Sequence, residues 1–200
     1  MKKIVLFLHG YGSNGSDLIS LKDYISLDQS NTEFISPNAP EPCELNFFGY
    51  QWFSLKDISS EELKLGLNSA FKYLDEIIKS IIEKHDIDPN QISIIGFSQG
   101  SMLATYYALQ KDYNFNSIIS LSGSLPREIL DNVNLVKNSS QYLIFHGKID
   151  DVVSYEQAIQ THNYLTENKI INELVLDKNC AHSVSPLALE SINKLYKSWI

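Results

Sequence analysis

Cysteine is scarce: the 200-residue chain has two, Cys43 and Cys180, and neither stands in a CxxC pair or near histidines at zinc-ligand spacing. A disulfide framework and a structural zinc site are excluded on that count, and a reducing compartment is expected. Basic residues are also few, with 16 Lys plus Arg against 24 Asp plus Glu and a formal net charge of −8. Without a dense Lys/Arg run, the chain lacks the positive field that nucleic acid or an anionic lipid surface requires of a partner. Long apolar runs are missing as well. The run over 4–8 stops after five residues at His9-Gly10, short of the about 7 to 15 apolar residues of an export signal. No later segment approaches the roughly 18 apolar residues of a membrane span. No integral membrane association and a cytoplasmic location are therefore expected.

What is present is enough for a sizeable core: 44% of residues are hydrophobic and 11% aromatic. A chain of this length with no repeat, low-complexity tract or linker is expected to form one domain over 1–200. Short β-rich apolar runs at 4–8, 33–36, 92–96, 117–121, 142–145 and 173–176 predict strands. Segments of helical period lie between them at 17–25, 61–84, 99–111, 155–168 and 186–199. In the longest, Leu63, Leu67, Ala70, Phe71, Leu74, Ile77, Ile78 and Ile81 recur at helical spacing and form one apolar face. This alternation predicts an α/β fold, a mostly parallel central sheet covered by helices on both faces. The segment 37–60 fits neither period. Its prolines at 37, 40 and 42 and its aromatics Phe47, Phe48, Tyr50, Trp52 and Phe53 predict an ordered segment, since disordered segments are poor in aromatics; a flap beside a site is favoured over a loop that plugs one edge of the core.

Two glycine motifs compete for the chemistry. Gly10-Tyr11-Gly12-Ser13-Asn14-Gly15 fits GxGxxG, follows a strand and precedes a helix, the local context of a dinucleotide-binding turn. The strand after it ends at Ser36-Pro37 without the acidic residue that would hold a ribose, although Glu33 lies near the usual separation. The second motif, Gly96-Phe97-Ser98-Gln99-Gly100, is a GxSxG between a strand and a helix. A serine at such a turn has a strained backbone that projects its hydroxyl outward, and the helix N-terminus favours negative charge developing beside it.

A serine hydroxyl needs a base, and the base needs a partner that fixes its tautomer. Both stand downstream in loops after strands: His182 follows the last strand, and Asp150 and Asp151 follow the strand ending at His146-Gly147. The chain order Ser, Asp, His then places each residue at the carboxyl end of a parallel strand, the edge where such sheets bind ligands. In that arrangement the first glycine loop has another use. Its Tyr11 N–H, with that of Gln99, would form an oxyanion hole.

With these pieces in place, the sequence resembles the phospholipase/carboxylesterase family of small α/β-hydrolases, which includes acyl-protein thioesterases, lysophospholipases and bacterial carboxylesterases. The likeness rests on the segments 8–15, 37–40, 51–53, 96–101, 121–123, 146–150 and 181–183, which run in family order over nearly the whole chain. The resemblance implies an α/β-hydrolase without a large lid domain, with nucleophile Ser98, acid Asp150, base His182, and oxyanion donors Tyr11 and Gln99. The chain departs from the family in opening directly at the strand 4–8, in Ser101 where a second glycine is frequent, and in Tyr11 where leucine is common.

The expectation is a serine hydrolase that cleaves carboxylic esters or thioesters through an acyl-Ser98 intermediate, with no metal and no organic cofactor. Its substrate would be a small acyl ester or thioester, or the acyl group of a lysophospholipid or acylated protein, held in an open groove. Phe47, Trp52, Phe53, Leu125 and Val152 are the candidates for lining it. His9 and His146 are expected to be structural, His85 and His162 to lie at the surface, and Cys180 to serve packing.

Overall fold

The computed structural model describes residues 1–199. Six strands form one parallel sheet: β1 (Lys3–Leu8), β2 (Thr32–Ile35), β5 (Ile92–Phe97), β6 (Ser117–Leu121), β7 (Gln141–Gly147) and β8 (Asn172–Asp177), in the order β2-β1-β5-β6-β7-β8. A separate antiparallel pair, β3 (Glu41–Pro42) and β4 (Tyr50–Gln51), stands apart from it. The helices are α1 (Gly15–Leu18), α2 (Ser60–His85), α3 (Gln99–Ala108), α4 (Arg127–Leu130), α5 (Tyr155–Glu167) and α6 (Pro186–Tyr196).

The near-continuous apolar strands follow from burial on both faces. In β1, Ile4, Leu6 and Leu8 enter one core cluster, which α2, α3 and α5 cover. Val5 and Phe7 enter the cluster on the opposite face, under α1 and α6. Helix α2 buries Leu63, Leu67, Ala70, Leu74, Ile78 and Ile81 along one stripe and ends at Asp86 in the left-handed conformation, with Lys84 and His85 in its last turn. The Lys84 cation there complements the carbonyl end of the helix. Polar groups inside the second cluster are paired: Ser93 Oγ lies 2.7 Å from both Ser117 Oγ and Tyr196 Oη.

Several elements differ from the sequence reading. The helix expected over 17–25 is the single turn α1 followed by a 3-10 segment, Ile19–Tyr24. Only Leu18 and Ile25 are buried there, too narrow a stripe to hold a longer α-helix against the sheet. Helix α3 stops at Ala108, and the short α4 carries no periodic signal of its own. His85 is not a surface residue; its side chain is tucked between Lys2 and Glu33. The segment 37–60 is ordered around the β3–β4 pair, which closes through Cys43 N–H to the Gly49 carbonyl at 2.8 Å.

The strand order places the site. From β1 the chain moves outward to β2, then returns and builds β5 to β8 on the other side. The loops leaving β1 and β5 therefore part over a crevice at the carboxyl edge, with Leu8 paired to Gly96; ligands bind at such reversals. Among the described residues no helix is long and apolar enough to cross a membrane.

Candidate active site

Ser98 occupies the turn between β5 and α3 with φ 51° and ψ −115°. A non-glycine residue with such a φ is strained by roughly 1–3 kcal/mol and persists only where its surroundings enforce it. The flanking glycines make the turn possible. A Cβ on Gly100 would stand 2.0 Å from the Leu8 carbonyl oxygen, and one on Gly96 2.4 Å from the Gly100 oxygen. Ser98 N–H donates to the Leu121 carbonyl at 2.8 Å, and Ser101 Oγ ties the first turn of α3 to the Gly96 and Leu121 carbonyls. The serine at 101, where the family often has glycine, therefore braces the turn.

His182, in the loop after β8, brings Nε2 to 3.0 Å from Ser98 Oγ and Nδ1 to 2.8 Å from Asp150 Oδ2. Its ring rests on Phe97, centroids 5.1 Å apart. Asp150 is held by the loop after β7: Oδ1 accepts the Val152 and Val153 N–H groups at 2.9 and 2.8 Å. Burial alone would raise the Asp150 carboxyl. The Val153 and Val152 N–H groups and the His182 ring outweigh it and hold the pKa below the ordinary aspartate value. Asp151 is exposed. His146, fully buried, places Nε2 3.1 Å from Asp150 Oδ2 and 2.8 Å from the Val153 carbonyl, while its Nδ1 has no partner. Cys180 is buried, with its thiol toward the Ala181 and Ser183 carbonyls, and burial pushes its pKa up.

Tyr11 and Gln99 border the same cleft as Ser98. Neither backbone N–H donates to a protein acceptor among the described residues, so both are available to an oxygen on the substrate. The Tyr11 hydroxyl reaches Glu44 at 3.4 Å, and burial, with Cys43 and Glu44 nearby, raises its pKa to about 12. Beneath this loop lies a tight set of bonds. His9 Nε2 accepts the Ala39 N–H at 3.0 Å, so its Nδ1 carries the proton and donates to the Gly10 carbonyl at 2.8 Å. The Gly10 carbonyl and the Tyr11 N–H belong to one planar trans peptide and point in opposite directions. Fixing the first aims the second.

The cleft measures about 430 Å³. Val152 is on its rim, 67% exposed. Trp52, Phe53, Phe47 and Leu125 do not line it, a correction to the sequence reading. Trp52 is 1% exposed, and its Nε1–H donates to the His9 carbonyl at 2.8 Å beneath the glycine loop. Phe53 is wedged against α2, where a Cβ on Gly66 would come within 2.8 Å of the Phe53 Cβ. Phe47, at the tip of the β3–β4 hairpin, is 92% exposed, and Leu125 is wholly buried. The apolar wall comes instead from Leu55, Ile58, Leu63, Met102, Pro126 and Val153. Of these only Leu63 carried a sequence signal, as one member of the α2 stripe.

The glycine loop 10–15 is not built for a dinucleotide. The helix after it is a single turn, and its Gly15 and Asp17 N–H groups are taken by Asn38 Oδ1 and Asn14 Oδ1. The Asp17 carboxylate, bonded to Ser13 and Asn14, puts negative charge where a pyrophosphate would sit. Among the described residues no three His, Cys, Asp or Glu side chains converge as metal ligands.

Known proteins resemble the chain over most of its length. The family model described as Phospholipase/Carboxylesterase matches residues 1–200. Acyl-protein thioesterase 1 homolog 1 of Dictyostelium discoideum is 30% identical over 197 residues, covering 95% of this chain and 87% of that protein. Acyl-protein thioesterase 1 of Saccharomyces cerevisiae is 28% identical over 98% of this chain and 92% of its own length. Among solved structures, that of esterase PE8 superposes with a TM-score of 0.90 at 28% identity, covering 100% of this chain and 93% of that one.

Proposed function

The chain belongs to the phospholipase/carboxylesterase family and is an ester-bond hydrolase; on that premise we propose that it cleaves carboxylic esters or thioesters through an acyl-Ser98 intermediate. The observation that carries this reading is the continuous relay from Ser98 Oγ through the His182 ring to Asp150 Oδ2, at 3.0 and 2.8 Å. His182 Nε2 takes the Ser98 proton as Oγ attacks the acyl carbonyl, then gives that proton to the departing alcohol or thiol. Asp150 holds the Nδ1–H tautomer and stabilises the charged ring without itself becoming protonated. The carbonyl oxygen, negative in the tetrahedral intermediate, receives the Tyr11 and Gln99 N–H groups. Water activated by His182 then releases the acid and restores Ser98.

The cleft bordered by Tyr11, Ser98 and Gln99 takes the acyl part, and its volume is in the range of small-molecule sites. A smaller hollow of about 260 Å³ that also touches His182, bordered by Gly10, Ser13 and Phe97, takes the leaving group. A lysophospholipid or an acylated protein is a second substrate class. The exposed apolar rim residues Ile58 and Val152 favour it, because they leave the cleft mouth open to a bulky carrier. Fluorophosphonate labelling, followed by peptide mapping, tests the mechanism: modification is expected on Ser98. A panel of p-nitrophenyl esters beside a lysophospholipid and a palmitoylated peptide separates the substrate classes. A folded protein that resists the probe and turns over none of these would sink the reading.

A further inference from the structure

Away from the reacting groups the cleft wall is apolar, with two exceptions. Ser124, in the loop after β6, lines the cleft, is 3% exposed and has an Oγ without a hydrogen-bond partner. Gln157, on the first turn of α5, lines the same cleft. Among the described residues its side-chain amide has no hydrogen-bond partner in the protein, and the residue borders the cleft.

A buried hydroxyl with no partner is uncommon in a folded protein and is destabilising unless something satisfies it. A plain alkyl chain cannot. Against Leu63 and Met102 it gains contact, but against Ser124 it leaves the hydroxyl unpaired, and against Gln157 it strips water from an amide. A substrate hydroxyl both donates and accepts: it can accept from Ser124 O–H and donate to the Gln157 amide oxygen. A substrate carbonyl can accept from either side chain. Ser124 Oγ is closed to solvent, so it meets a substrate oxygen by rotating about χ1 to another staggered position, and the Gln157 amide turns about its own torsions likewise. Building on the acyl-Ser98 reading above, we propose that Ser124 and Gln157 determine specificity, selecting acyl groups that carry a hydroxyl or carbonyl oxygen a few bonds from the ester over alkyl groups of equal size.

The test compares p-nitrophenyl 3-hydroxybutyrate with p-nitrophenyl 3-methylbutyrate, which have the same number of heavy atoms. Each kcat/KM is normalised to the ester's own hydroxide-catalysed rate. Wild type is expected to favour the hydroxy ester by about fivefold or more, the scale of one net hydrogen bond. Ser124→Ala and Gln157→Leu should each reduce that ratio by about threefold or more, through loss of kcat/KM for the hydroxy ester. The two variants lie on different elements, so misfolding of one leaves the other as a test. Wild-type preference for the methyl ester, or a ratio that neither substitution moves, would overturn the inference. A second pair, 2-hydroxyethyl butanoate and propyl butanoate, carries the oxygen on the leaving side; a preference confined to this pair also overturns it. Turnover without preference removes this inference alone. Absence of all turnover and of Ser98 labelling removes the serine mechanism, and the inference with it.

Discussion

His146 and His182 converge on a single oxygen, Oδ2 of Asp150, from 3.1 and 2.8 Å. The other oxygen is occupied by the Val152 and Val153 N–H groups. An asparagine at 150 that keeps its carbonyl toward those two donors turns its NH₂ to His182 Nδ1–H, which then lacks an acceptor, whereas His146 Nε2 still has the Val153 carbonyl at 2.8 Å. Asp150→Asn should therefore drive His182 into the wrong tautomer and lower kcat by about 10⁴, as in the serine-protease triad. Asp151→Asn changes an exposed charge and should cost less than about tenfold. Steady-state kinetics of the two variants decide the register; a larger loss at Asp151 would overturn it.

Ser98→Ala should lower kcat by about 10⁴ to 10⁶ while the fold is retained, because only the nucleophilic hydroxyl is lost. Ser98→Gly adds a second readout. Glycine relieves the strain at φ 51°, a gain of about 1–3 kcal/mol that its extra unfolded-state freedom reduces by about 0.5–1 kcal/mol. Denaturant titration should find Ser98→Gly more stable than Ser98→Ala by about 1 kcal/mol, with both inactive.

Gln99 Oε1 accepts the Trp52 N–H at 2.9 Å, and Gln99 Nε2 donates to the Phe53 carbonyl at 2.7 Å. Trp52 is thus a tie between the nucleophile's helix and the loop above it. Trp52→Phe keeps most of the bulk but leaves the His9 carbonyl without its Nε1–H donor, and should cost about 1–3 kcal/mol of stability. Its kcat/KM should fall by the same factor for acetyl, butanoyl and octanoyl esters. A loss that grows with chain length would return Trp52 to the cleft wall.

Burial pushes the His9 pKa below its ordinary value, against smaller raising contributions from the Gly10 carbonyl and Asp17. The folded state then binds fewer protons at this ring than the unfolded chain. Its contribution to stability is complete above about pH 6.5, the unfolded value, and is lost as the pH falls toward the depressed folded value. A second proton would also turn the acceptor facing Ala39 N–H into a donor. His9→Gln should consequently show a smaller drop in Tm between pH 7 and pH 5 than wild type. An equal drop in both proteins would place the acid sensitivity elsewhere.

The sheet and the Ser98 turn were legible because each follows from a local rule, whereas the choice of Asp150 over Asp151 came from the family resemblance. Apolar runs such as 4–8 and 92–96 can satisfy only a strand buried on both faces, and a tight serine turn leaves its mark as two glycines. The cleft wall obeys no such rule. Leu63 reads like every other member of the α2 stripe, and only packing places it at the helix end that overhangs the cleft. Trp52 misleads for the same reason. An aromatic residue in a long loop suits a pocket and a core equally, and the deciding fact is an Nε1–H bond to His9, 43 positions away. The short α1 and the 3-10 segment after it were missed because propensity does not report how narrow the buried stripe will be.

The relay that joins Ser98 to His182 spans 84 positions of chain, which has a consequence for synthesis. At roughly 5–20 residues per second, the 84 positions between Ser98 and its base represent about 4 to 17 s of elongation. On the acyl-Ser98 reading, the nascent polypeptide carries throughout that interval a serine whose proton acceptor has yet to be made. Release of hydrolytic power is thereby deferred until the loop beyond β8 has docked, and a ribosome-bound fragment ending before that loop should be unreactive toward fluorophosphonates.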